Sequence, residues 1–152
     1  MTFTHETVDR LLTDGRDLFQ AHAQEDLLHP DILLDLDEDH YRAGEQLGMY
    51  RTFGMRDDGR LVGYAVFAVL RSPLHRSSLQ ANLGALYVDS AHRTVGPMKF
   101  LHFIESALRA QDVQLIRFHA IPDSGLARLL AYHGYTLAHY EFEKRLDTPC
   151  LQ

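Results

Sequence analysis

The stretch Leu86-Tyr87-Val88-Asp89-Ser90-Ala91-His92-Arg93-Thr94-Val95-Gly96-Pro97-Met98 joins an apolar run to an amphipathic one, and its reading decides the fold. Upstream, Leu79 to Val88 reads as a strand, and its nearly continuous apolar end (Leu83, Ala85, Leu86, Tyr87, Val88) predicts burial on both faces. Downstream, between Pro97 and Ala110, Met98, Leu101, Ile104 and Leu108 fall on one side and Lys99, His102, Glu105 and Arg109 on another, which predicts a helix with Pro97 at a first helical position. A strand, a short Gly-containing loop and a helix N-terminus together present unpaired backbone N–H groups at the positive end of a helix dipole, where a phosphate or pyrophosphate is stabilised. Arg93 adds a further anion donor on that loop. The plain alternative is an ordinary strand-to-helix connection with a surface arginine.

Working toward the N-terminus, Leu61 to Leu70 and Tyr50 to Met55 are strand-like, and Asp57-Asp58-Gly59-Arg60 between them is turn chemistry, so the two form a hairpin. Glu38 to Leu47 reads as a helix ended by Gly48. Glu6 to about Ala23 reads as an amphipathic helix through Val8, Leu11, Leu12, Leu18 and Phe19, and Pro30 with Asp31 marks a break after it. Toward the C-terminus, Val113 to Ala120 predicts a buried strand and Ser124 to His133 a short helix stopped by Gly134. Tyr135 to Leu146 then predicts a final strand with Leu137, Tyr140 and Phe142 inward. This order predicts an α+β (mixed α/β) fold, a central mixed, mostly antiparallel sheet flanked by helices.

The chain has 152 residues, 45% hydrophobic and 24% charged, which suits one domain with a core of its own. The net charge of −6 argues against a broad electrostatic grip on nucleic acid. Six basic against fourteen acidic residues give residues 1–60 a net charge of −8, while nine against seven give residues 61–152 a net +2, so an anionic ligand is less repelled by the second part. No run approaches the ~20 apolar residues of a membrane span, and Met1 to Pro30 lacks the pattern of a signal peptide, so a cytoplasmic protein is expected. Cys150 is the only cysteine, which excludes an intrachain disulfide and a thiolate zinc site. The histidines offer no H-x-x-x-H pair on one helix, so no metal is expected.

With these motifs in order, the sequence resembles the GNAT acyltransferase superfamily over roughly residues 50–146. The hairpin Arg56-Asp57-Asp58-Gly59-Arg60-Leu61-Val62-Gly63-Tyr64 and the strand end Leu86-Tyr87-Val88 carry the likeness. So do Arg93-Thr94-Val95-Gly96-Pro97-Met98, against the family's Gln/Arg-x-x-Gly-x-Gly/Ala, and Leu129-Leu130-Ala131-Tyr132-His133-Gly134-Tyr135, against its helix ending in Gly-Phe or Gly-Tyr. The wording is closest to short GNAT proteins common in phage and prophage sequences. The resemblance implies one acyltransferase domain over 1–152, with a helical N-terminal part (1–48), a sheet and cofactor-binding core (49–146) and a tail (147–152). It implies acetyl-CoA as cosubstrate, its pantetheine arm along Leu86, Tyr87 and Val88 and its pyrophosphate on the loop of Arg93, Thr94, Val95, Gly96, Pro97 and Met98, where Pro97 has no N–H to offer. The acyl group would end where that strand and the next, Leu115 to Ala120, splay apart. Direct transfer to an amine of a small molecule or protein is the implied reaction, and a homodimer is compatible with it.

The sequence also departs from the family pattern. Met98 stands where Gly or Ala is usual, and Leu130 where many members carry the tyrosine that faces the CoA sulfur. Asp123 replaces a common Asn, and Gly84 lies where an acidic residue is frequent. Tyr132, Tyr87 and His119 are the titratable groups able to substitute as catalytic residues, against the simpler reading of the tyrosines as packing residues with satisfied hydroxyls. Two functions follow: an acetyl-CoA-dependent N-acetyltransferase, or a catalytically silent GNAT-fold binding module that retains a CoA pocket or acts through protein contacts.

Overall fold

The computed structural model describes residues 1–25 and 31–147; Pro30 and Cys150 lie outside the described residues. The chain divides into two compact units, the second beginning at Ala120.

The first unit is built on a sheet of five strands in the order β1-β2-β3-β4-β5. These are β1 (Thr2–Glu6), β2 (Tyr50–Asp57), β3 (Arg60–Arg71), β4 (Leu79–Val88) and β5 (Leu115–Arg117). β1 to β4 pair antiparallel and β5 joins β4 in parallel, so the sheet is mixed and mostly antiparallel, as expected. In the β2–β3 turn Asp58 and Gly59 both take positive φ, 47° and 82°, the conformation whose twist matches the flanking strands.

Different helices cover the two faces. On one, α1 (Val8–Asp14) and α2 (Arg16–Glu25) bury Leu11, Leu12, Leu18 and Phe19 in a core with Tyr64, Val66 and Tyr87, joined at its edge by Tyr41 of α3 (Glu38–Gln46). On the other, α4 (Gly96–Arg109) buries Phe100, Ile104 and Leu108 in a core with Phe53, Met55, Phe67 and Leu83. Phe53, Phe67 and Phe100 are almost free of solvent, and each contributes ~1.5–3 kcal/mol of transfer free energy.

A single residue in β4 decides what its end presents. Leu79, Ala81 and Leu83 belong to the α4 side. Opposite β3, the register then skips Gly84, because Phe67 faces Leu83 while Val66 faces Ala85. Beyond this bulge Leu86 and Val88 are on the α4 side, and Ala85 and Tyr87 on the α1–α2 side. A strand's side chains alternate, so one inserted residue exchanges the faces of everything after it. Without Gly84 as an extra residue, Tyr87 would point into the α4 core.

The structure differs from the sequence reading at both ends. The expected helix from Glu6 is two helices broken at Gly15, where an added Cβ would come within 2.8 Å of the Phe19 ring and 2.6 Å of the Leu11 carbonyl. Before it lies β1, so the part expected to be helical begins with a strand. β1 is only five residues long, with Thr2 and His5 exposed, and its pairing with β2 supplies what its own pattern lacks. The strand expected over Val113 to Ala120 is confined to β5, whose Leu115 is exposed.

The second unit holds α5 (Gly125–Tyr132), capped by Ser124, whose Oγ accepts from the Ala127 N–H at 3.1 Å. No regular element follows among described residues 135–147, and Leu137, Tyr140 and Phe142, expected inward, are 73%, 79% and 91% exposed. Their spacing of three and then two puts Leu137 on the opposite pleat face from the other two, so no single register buries all three. No helix among the described residues is long and apolar enough to cross a membrane, and no cluster of metal-binding side chains occurs among them.

Candidate functional site

The pairing of β5 with β4 runs only from Gln80–Leu115 to Asn82–Arg117. β4 continues for six more residues, so from Leu83 to Val88 the edge facing β5 has no strand partner in this sheet. The strands part just before Gly84, whose bulge lies in the β3–β4 ladder, and bulges re-aim side chains in this way next to active sites. Gly84 itself is exposed, and a Cβ there would come 3.4 Å from the Val66 carbonyl.

The open edge leads through a 3-10 turn (Ser90–His92) to the start of α4. α1, α3 and α5 begin on side-chain caps from Thr7, Asp37 and Ser124, whereas Val95, at the capping position before α4, gives no side-chain cap. Its first-turn N–H groups therefore keep their capacity for an external acceptor, Pro97 excepted. Gly96 is buried because Met55 lies against it; an added Cβ would come 3.0 Å from the Met55 sulfur. Met98 is 43% exposed, so its side chain is not folded away into the core. Beside this turn lies an open cavity of about 270 Å³ whose walls include His92, Thr94, Val95 and Lys99.

At the end of β4 the turned Tyr87 meets α2. Its hydroxyl donates to Glu25 Oε1 at 2.9 Å, and the same carboxylate accepts from Arg93 Nη2 at 2.8 and 2.9 Å. Arg93 Nε donates to the Val88 carbonyl at 2.6 Å, and its guanidinium lies 5.1 Å from the Tyr87 ring centre. His22 stacks on the Tyr87 ring, the centres 5.1 Å apart, with Nδ1 2.7 Å from the Tyr64 hydroxyl. The Arg93 hydrogen bonds hold the Glu25 carboxyl below the usual carboxylate range, and burial, reinforced by Glu25, raises the Tyr87 phenol. Near neutral pH Tyr87 is therefore a proton donor and Glu25 an anion.

The residues named from sequence are thus distributed unevenly. Leu86, Tyr87 and Val88 line the end of β4, Arg93 to Met98 form the approach to α4, and all belong to the first unit. Arg93, expected to face an external anion, is turned to Glu25. His119 is exposed beyond β5, and Tyr132, 80% exposed, and Leu130 belong to α5 of the second unit. Glu25 and His22 escaped the sequence reading: Glu25 lies 62 residues from Tyr87 and 68 from Arg93, and no local pattern signals such a contact.

No family model matches the sequence, and no curated protein does. Solved structures do match. An aminoglycoside acetyltransferase from an uncultured soil metagenomic sample aligns at TM-score 0.73 and 14% identity over 96% of this chain and 98% of that one. The ribosomal-protein-alanine N-acetyltransferase of Brucella melitensis biovar Abortus 2308 aligns at TM-score 0.69 and 16% identity over 95% and 99%. A predicted acetyltransferase of Clostridium acetobutylicum, solved with acetyl-CoA, aligns at TM-score 0.67 and 12% identity over 95% and 96%. The fold is that of the GNAT superfamily.

Proposed function

We propose that the chain is a single-domain, acetyl-CoA-dependent N-acetyltransferase acting in the cytoplasm on an amine. The observation that carries this reading is the unpaired edge of β4 beyond Gly84, continuous with an α4 start that has no side-chain cap. The edge offers backbone partners to an extended, amide-bearing arm, and the helix start offers N–H groups and a dipole to paired phosphates. The residues present fit acetyl-CoA in this respect: Leu86, Tyr87 and Val88 would lie along the arm, and Thr94, Val95, Gly96 and Met98 around the phosphates. When bound there, acetyl-CoA supplies an acyl group activated as a thioester for direct transfer. Arg93 has an anionic partner already, Glu25, and contributes to phosphate binding to the extent that it exchanges it. In this reading Tyr87, whose hydroxyl carries a proton shared with Glu25, would return a proton in place of the tyrosine missing at Leu130. His119, at the end of the first unit, and Tyr132, on α5 of the second, are the other candidates for that role in this proposal. Kinship with the short phage-type members is part of this proposal, on the wording of the loop from Arg93 to Met98 alone.

The test is acetyl-CoA itself. At 100 times its Kd it stabilises the folded state by about 2.7 kcal/mol, a rise of about 5–10 °C in Tm for a chain of this size. No shift at millimolar acetyl-CoA overturns the proposal. A shift without CoA release across a panel of amines supports the silent module, which Leu130 and Gly84 favour.

A further inference from the structure

The point where β4 and β5 part is marked by a cation that has no carboxylate partner among the described residues. Arg117 closes the β4–β5 ladder opposite Asn82. Partners in register share a face: Ile116 belongs to the α4-side core with Ala81, so Arg117, Gln80 and Asn82 stand on the opposite face. After the bulge that face continues with Ala85 and Tyr87. Arg117 is half-buried. Its Nη1 donates to Gln80 Oε1 at 2.5 Å and to Asn82 Oδ1 at 3.4 Å. The Gln80 amide nitrogen in turn donates to Ser78 Oγ at 3.2 Å, which fixes the amide with its oxygen toward the arginine.

These supports are neutral. Arg56 and Arg93 are each fixed by carboxylates, whereas Arg117 has no carboxylate within ion-pair distance among the described residues. A guanidinium carries five N–H donors in a planar fork, and the two bonds from Nη1 leave the Nε and Nη2 donors for an oxyanion. Two amides that orient a guanidinium without neutralising it make an anion receptor.

We propose that Arg117, oriented by Gln80 and Asn82, receives a carboxylate or phosphate carried by the amine acceptor, so that the substrates are small anionic amines rather than polycations. Asn82 and Gly84 are two strand residues apart, roughly 7 Å, a span within one small molecule such as an amino acid or an amino-sugar phosphate. An arginine outperforms a lysine here because the fork meets both oxygens of the group. This assignment rests on the β4–β5 cleft being the acyl-transfer site.

Matched acceptors test it: amino acids against their carboxamides, and glucosamine 6-phosphate against glucosamine, assayed by CoA release. The wild type is expected to favour the anionic member of at least one pair by tenfold or more in kcat/KM, and the pair concerned identifies the oxyanion. Arg117→Gln is expected to raise KM for that acceptor at least tenfold, leaving KM for acetyl-CoA and Tm unchanged, and Arg117→Lys to restore part of the loss. Equal use of both members of every pair, preference for the neutral members, or an equal loss on both in Arg117→Gln overturns it. If no amine turns over, calorimetric titration of the same compounds into the acetyl-CoA complex decides: binding of anionic members that Arg117→Gln abolishes supports the receptor, and its absence overturns it. A chain that fails to bind acetyl-CoA overturns the acyltransferase reading instead, a result visible before any acceptor is added.

Discussion

Two arginine–glutamate pairs of like chemistry hold different parts of the first unit, and their burial separates their roles. Arg56 grips Glu6 through Nε at 2.7 Å and Nη2 at 3.1 Å, with Asp14 and the Gly59 carbonyl completing its partners. Both side chains are nearly solvent-free, at 5% and 0% exposure. Arg93 grips Glu25 at similar distances, but with 42% and 48% exposed. Removing a partner from the first pair strands a charge away from water, whereas water replaces a partner lost from the second at little cost. Buried, the pair is part of the frame. Exposed beside the open strand edge, it is able to change partners.

The largest expected effect is at the buried pair. Glu6→Gln or Arg56→Met alone should cost about 3–5 kcal/mol in urea unfolding, while Glu6→Leu with Arg56→Met together should recover much of that, since neither charge is left buried. A single-variant cost below about 1 kcal/mol would erase the distinction between the pairs. Acid gives a second measure. Burial alone raises the Glu6 carboxyl, but hydrogen bonds from Arg56 and Thr4 and the charges of Arg56 and Arg10 outweigh it and hold the pKa below 4.5. A lowered folded-state pKa means stability that is complete above the unfolded value and lost as pH falls through the folded one. Wild-type stability should therefore decline below about pH 4.5 more steeply than that of the doubly apolar variant, as followed by urea midpoints across pH.

The sequence made the centre of the fold legible and its margins less so. β2, β3, β4 and α4 were found within two residues of their observed ends because their periodic runs are long and their turn carries Asp-Gly. β1 depends on its pairing with β2 some fifty residues on, which no window of sequence contains, while the break at Gly15 turns on how the Phe19 ring packs four residues later rather than on the apolar period. The site divides the same way. The strand–loop–helix segment is contiguous and was readable, but the Gly84 bulge is a property of pairing with β3. The partners of Tyr87 and Arg93 come from α2, distant in sequence but packed on the face Tyr87 occupies, and Glu25 has no motif to announce it.

The exposed pair supplies the smallest effect and the sharpest contrast. Glu25→Gln keeps an oxygen to accept from Tyr87 and removes the charge that holds Arg93. Stability should change by no more than about 1 kcal/mol, the range of exposed ion pairs. Affinity for acetyl-CoA should tighten about three- to tenfold in calorimetric titration, because the phosphates no longer displace a carboxylate from the arginine. The gain should shrink at high salt, where both ion pairs are screened. Tighter binding without lost stability makes Glu25 a competitor for Arg93. Weaker binding, or a stability cost as large as that of Glu6→Gln, makes the second pair as much a part of the frame as the first.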